Sequence, residues 1–143
     1  MIQNEMRLTI PSHSSNEAFA RMAIAGFFAQ LDPTIDELAD IKTAVSEAVT
    51  NSIVHGYADT IGKIHIHAKI CDHRIVSVRI RDRGCGIENV EQAMEPLFTT
   101  CKTGERSGLG FSVMQSFMDK VSVKSVPGRG TTVVLTKKLT ARR

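Results

Sequence analysis

The sequence predicts an α+β fold, a two-layer sandwich in which a mixed, mostly antiparallel sheet packs against helices. Two observations predict it. Alternating apolar and polar stretches come as hairpin-like neighbours, Lys63–Ile70 with Arg74–Asp82 and Val121–Val126 with Thr131–Lys138. They do not alternate singly with helices, as a parallel sheet of βαβ units requires. The length, 143 residues, suits one domain over 1–143 with a hydrophobic core of its own.

The elements follow in order. Met6, Leu8 and Ile10 alternate with Arg7 and Thr9, which predicts a first strand ended by Pro11. Ser14 to Glu17 has the S-x-x-E form of a capping box. Behind it Phe19, Met22, Ala23 and Phe27 mark a helix face that Ile24, Phe28 and Leu31 widen. Asp32-Pro33 breaks the chain, and Thr34 to Glu37 repeats the capping pattern. Leu38, Ile41, Val45, Val49 and Ile53 then predict a helix that stops at Gly56. Cys71-Asp72-His73 is the expected turn of the first hairpin. From about Glu88 to Arg106 periodicity fades, with a short helix over Val90 to Met94 and otherwise a long loop of the kind that forms lids and binding segments. A helix opens at Gly110, with Phe111, Met114, Phe117 and Met118 on its apolar side. The last hairpin turns across Pro127-Gly128-Arg129-Gly130. No internal repeat or linker interrupts this order.

Composition narrows the function. An apolar share of 42% with 23% charged residues is that of a soluble globular chain. A net charge of +3 is too mild to argue for nucleic acid, and one Tyr without Trp offers no base-stacking platform. Three scattered cysteines, Cys71, Cys85 and Cys101, form no disulfide or zinc framework, so a reducing cytoplasm is expected. The polar start MIQNEMRLTI is no signal peptide, and no stretch is long enough to cross a membrane. The basic end, with Lys137, Lys138, Arg142 and Arg143, reads as a solvated tail.

Four local patterns carry candidate chemistry. On the second helix Glu47, Asn51 and His55 recur every four residues, so they share one face. A carboxylate there suits a general base, and an Asn carbonyl oxygen suits Mg²⁺, which prefers oxygen ligands and keeps waters or phosphates as the rest. A merely wet stripe fits the same spacing, and His55 also reads as a helix-end histidine near the negative dipole end. Asp82-Arg83-Gly84-Cys85-Gly86-Ile87 follows a strand directly. Its glycines permit a tight turn and close ligand approach, and Asp82 is suited to accept a hydrogen bond from an exocyclic amine such as that of adenine. Gly104 to Phe111 opens a helix with free N–H groups, where Lys102 and Arg106 can reach phosphates; without G-K-[ST] it is no Walker A loop. Gly130-Thr131-Thr132 by itself reads as hairpin.

The order of the four says more than each. Helix carboxylate and Asn, strand-Asp-x-Gly-x-Gly, lid-like loop, Gly-x-Gly on a helix and Gly-Thr on a strand resemble the Bergerat-type ATP-binding fold shared by gyrase, Hsp90, sensor histidine kinases and MutL. The words VSEAVTNSIVHGY, RDRGCGI, EPLFTT, ERSGLGF and GRGTTV, within a resemblance running from about Asn4 to Lys138, are similar to the small stand-alone serine kinases of the anti-sigma F family of spore-forming bacteria. That resemblance implies an anti-sigma factor that binds and inhibits a sporulation sigma factor. It also implies a protein-serine kinase that uses Mg²⁺ and ATP to phosphorylate a serine of an anti-anti-sigma antagonist. By position it makes Glu47 the general base and Asn51 the Mg²⁺ ligand. It has Asp82 read the adenine amine, with Gly84, Gly86, Ile87 and Thr131 shaping that pocket. Thr99, Thr100, Arg106, Ser107, Gly108, Leu109 and Gly110 become lid and phosphate loop. Cys101-Lys102 stands where the family often has Lys-Pro, which displaces the lysine by one position. Two other readings stay open: a nucleotide-gated sigma-binding module without kinase activity, and the catalytic module of a split histidine kinase. The first helix, with Arg21 among apolar residues and Phe27 and Phe28 beyond, has more apolar face than one sheet needs. A homodimer or partner contact is expected there.

Overall fold

The structure, a computed structural model, describes residues 1–94 and 110–140. Its elements run β1 (Ile2–Pro11), α1 (Asn16–Phe28), α2 (Ile35–Asn51), β2 (Lys63–Cys71), β3 (Ile75–Asp82), α3 (Val90–Met94), α4 (Phe111–Phe117), β4 (Lys120–Val126) and β5 (Gly130–Lys138). The five strands form one sheet in the order β1-β2-β3-β5-β4. All four ladders are antiparallel, so the mixed component of the expected sheet has no counterpart among the described residues.

Period-two patterning sets the layers. Ile64, Ile66, Ala68 and Ile70 of β2, Val76, Val78 and Ile80 of β3, and Val133 and Leu135 of β5 are buried on one face. Against them lie Ile41, Ala44, Val45, Ala48 and Val49 of α2, and Phe111 and Met114 of α4. Each fully buried Ile or Val side chain contributes about 1.5–3 kcal/mol from water exclusion. α1 turns Ala20, Ile24 and Phe28 inward and leaves Phe19 and Met22 more than half exposed. Among the described residues the opposite face of the sheet carries no helix.

Two local expectations are corrected. No capping box forms at Ser14–Glu17: α1 starts at Asn16 behind Ser15, whose backbone is already helical and whose side chain caps nothing. Glu17 instead pairs with Arg21 at 3.5 Å, a contact one turn along the helix. The second box forms in full, with Glu37 N–H donating to Thr34 Oγ1 at 3.0 Å and Thr34 N–H to Glu37 Oε1 at 2.9 Å. Nor does α2 run regularly to Gly56. It ends at Asn51, and Ser52–Gly56 form a π-helical turn closed by Tyr57 N–H on Ser52 O at 2.9 Å.

Candidate nucleotide site

The π-helical turn brings the end of α2 onto the end of β3. Such turns are rare and frequent at functional sites. Here Ser52, 4% exposed, donates its hydroxyl to Asp82 Oδ2 at 2.8 Å. Gly84 N–H donates to Asp82 Oδ1 at 2.9 Å. Asp82 is itself only 5% exposed. Each carboxylate oxygen thus accepts one hydrogen bond and keeps a second lone pair for a further donor.

The loop after Asp82 is stitched to its surroundings on both sides. Cys85 N–H donates to Gly56 O at 2.9 Å, and Gly128 N–H donates to Cys85 O at 2.7 Å. The glycines are required by approach distance. A Cβ on Gly84 would lie 2.1 Å from Gly56 O, and one on Gly86, at φ +75°, would lie 2.3 Å from Val126 O. Ser125 holds the far wall: its hydroxyl donates to Gly130 O at 3.0 Å and accepts Ile87 N–H at 2.7 Å. Its single proton being committed, the 2.8 Å bond to Thr131 Oγ1 has Thr131 as donor. Tyr57, beneath the loop, accepts Arg83 N–H and donates to Lys63 O, both at 2.7 Å.

These contacts gather most of the candidate residues that lie within the described chain. Asn51, Asp82, Gly86, Ile87 and Thr131 line one pocket together with Ser52, His55 and Phe111. Asn51 Oδ1 and His55 Nε2 are shielded from solvent there. Gly84 lies in the supporting turn. Glu47 does not line that pocket; its carboxylate meets the N-terminus of α4, where a Cβ on Gly110, at φ +69°, would lie 2.2 Å from Glu47 Oε2. Thr99, Thr100, Arg106, Ser107, Gly108 and Leu109, with Cys101 and Lys102, lie outside the described residues. Open space in the pocket is about 20 Å³, room for about one water. The donor set suits a purine nucleotide: Asp82 is a fixed acceptor in the pocket, Asn51 lends a carboxamide oxygen to it, and the Glu47 carboxylate lies one helical turn before Asn51.

Sequence reasoning missed Ser52, Tyr57 and Ser125, which touch the site through backbone atoms or through Asp82. A serine beside the Asn and a lone tyrosine have no spacing signature, and only the tertiary contact reveals them.

The histidine kinase-like ATPase domain family matches residues 10–137. The chain is 58% identical to the anti-sigma F factor of Caldanaerobacter subterraneus subsp. tengcongensis, over 94% of this chain and 93% of that one. It is 54% identical to the anti-sigma F factor of Bacillus subtilis, over 96% and 94%. In fold it is similar to the RsbU and RsbW domains of Rv1364c from Mycobacterium tuberculosis, with a TM-score of 0.72 at 20% identity, covering 98% of this chain and 34% of that one. The histidine kinase domain of the blue-light activated kinase of Erythrobacter litoralis EL346 follows the same fold at TM-score 0.56 and 19% identity, covering 91% and 62%. The buried Asp82 between helix end and glycine turn, the glycine-led helix α4 against Glu47 and this similarity over nearly the full length agree: the chain belongs to the histidine kinase-like ATPase domain family and, within it, to the anti-sigma F factors.

Proposed function

We propose that the chain is an anti-sigma factor and an ATP-dependent protein-serine kinase, acting as one domain over 1–143. It holds a sporulation sigma factor inactive and phosphorylates a serine of an anti-anti-sigma antagonist. The observation that carries the kinase reading is the Glu47 carboxylate against the N-terminus of α4, one helical turn before Asn51, which lines a pocket with Asp82. A binding module needs the pocket but not the carboxylate.

Each residue then has a task. Asp82 accepts the exocyclic amine of adenine, and Ser52 and Gly84 keep its lone pairs aimed. Gly86, Ile87 and Thr131 form the walls. Asn51 supplies an oxygen to Mg²⁺. Mg²⁺ usually keeps phosphates and water as most of its ligands, so a single protein oxygen would serve it here. Thr99, Thr100 and Arg106 to Gly110 form lid and phosphate loop, with Arg106 placing a bidentate fork at the terminal phosphate. When bound, Mg-ATP supplies the phosphoryl group and the charge that stabilises its transfer. Glu47 takes the proton of the attacking serine hydroxyl. Of the expected contact face, Phe28 is buried and Phe27 partly buried against the core, so the exposed Phe19 and Met22 beside Arg21 on α1 are the proposed homodimer or partner contact.

The test is Glu47→Gln. The substitution keeps size and polarity and removes the base. Phosphotransfer should fall by ~10²–10⁴-fold, while ATP affinity stays within a few-fold of the parent. Transfer at near the parent rate would remove Glu47 from the mechanism, and with it the main argument against a nucleotide-gated binder. A phosphohistidine product would instead favour the catalytic module of a split histidine kinase.

A further inference from the structure

The modest net charge hides a strong separation. The open face of the sheet is a grid that the ladder registers fix. One row runs Lys124, Thr132, Arg81, His65, Thr9 across the five strands. The next runs Ser122, Val134, Arg79, His67, Arg7, and a third Lys120, Thr136, Ser77, Lys69, Glu5. Six Lys or Arg side chains stand on these rows with one carboxylate. That carboxylate, Glu5, is already engaged by His67 at 2.7 Å and Arg7 at 3.5 Å. Among the described residues Arg79, Arg81, Lys120 and Lys124 take part in no ion pair.

The grid has relief. Over β5 lies a groove of about 460 Å³ with a floor of Thr132, Val134 and Thr136. Arg79 and Arg81 of β3 form one wall, and Lys120 and Lys124 of β4 form the other. Two ladder spacings separate the wall strands, about 9.6 Å. A second hollow shares Arg81, Lys124 and Thr132 with the groove and adds Arg83 and Arg129, together with Asp82 and Thr131 of the nucleotide site. His65 feels this surroundings: burial and then the charges of Arg81, Arg83 and Lys63 hold its protonation below the ordinary histidine range.

We propose that this groove is a docking surface for an extended acidic segment of a partner protein. The floor residues are short, so a backbone can come close. Alternate side chains of an extended segment point to opposite sides, with repeats about 6.8 Å apart, matching the spacing of Arg79 and Arg81 along β3. Acidic residues then meet both walls, and the unpaired guanidinium and ammonium groups gain partners. A second copy of this chain is disfavoured, because like charges would face each other. Single-stranded nucleic acid is disfavoured because none of these floor or wall residues is aromatic and nothing offers a stacking platform.

The probe is a fluorescein-labelled peptide of alternating Glu and Ser, with a Gln-Ser peptide as control, followed by anisotropy at low salt. The full chain should bind the acidic peptide saturably and not the control, with affinity falling as salt rises. The double variant Arg79→Glu, Lys120→Glu, at two exposed positions that line this groove and not the nucleotide pocket, should weaken the peptide at least about tenfold and leave ATP binding unchanged. No saturable peptide binding, or binding untouched by the double variant, overturns the proposal. So does tighter binding of a labelled single-stranded or duplex oligonucleotide that the same variant abolishes, which would assign the surface to phosphate backbones.

Discussion

Asp82→Asn tests how the base of the nucleotide is read, and the structure fixes what it does to the fold. The backbone N–H of Gly84 can only donate, so the amide oxygen must stay on that side, at the present 2.9 Å. The new amino group then faces Ser52, whose hydroxyl turns to accept. Both hydrogen bonds survive, changed from charge-assisted to neutral, and stability should move by no more than about 2 kcal/mol. The ligand sees a larger change. An adenine amine loses a charged acceptor, worth about 1.5–3 kcal/mol, or roughly tenfold to hundredfold in affinity. Guanine has a carbonyl at the corresponding position, which Asp82 repels and an Asn amino group can meet. The preference for ATP over GTP should therefore shrink by more than ATP affinity falls. Calorimetric titration with both nucleotides, beside thermal denaturation, measures each quantity. Unchanged ATP affinity in a folded variant would mean that Asp82 holds the loop and does not read the base.

Other outcomes follow from the same contacts. Glu37 feels burial, which opposes ionisation, but hydrogen bonds from Thr34 and Thr140 outweigh it and hold its pKa below the ordinary range. Its contribution to stability is therefore present above the unfolded value of about 4.3 and lost as pH falls through the lowered folded value. Glu37→Gln turns an amino group toward one of two backbone N–H donors, that of Thr34 at 2.9 Å or that of Thr140 at 2.7 Å. It should cost about 1–3 kcal/mol at neutral pH and flatten the acid limb of a denaturation-versus-pH curve. Tyr57→Phe strips the partner from Arg83 N–H and Lys63 O; denaturant titration should show a loss of about 1–3 kcal/mol. Replacing exposed Phe19 and Met22 with Ser should convert a dimer to a monomer in light scattering with little loss of stability, and a parent protein that is already monomeric would remove the proposed dimer.

The fold was legible where side-chain period and burial coincide. The alternation in Lys63–Ile70 and Arg74–Asp82 needed only one buried face, and the two stretches pair as neighbouring antiparallel strands. Thr34–Glu37 read correctly because both halves of a capping box are local. Ser14–Glu17 has the same form and failed, because Glu17 found Arg21 and Ser15 entered the helix already in helical conformation. The π-helical turn was invisible: its Ser52-to-Asp82 bond joins residues thirty apart in sequence. Asp82 could be placed at a strand end from its glycines, but its burial between Ser52 and Gly84 is a tertiary fact. The net charge misled in one respect, because a count of +3 cannot show that the open sheet face collects the cations.

The central claim, phosphoryl transfer from ATP to a protein serine, is tested most directly by mass-spectrometric site mapping after incubation with Mg-ATP and a candidate antagonist. The account predicts an acid-stable phosphoserine on the antagonist, formed together with ADP and lost with Glu47→Gln. An unmodified antagonist under conditions where ATP is bound, or an acid-labile phosphohistidine in its place, would contradict it.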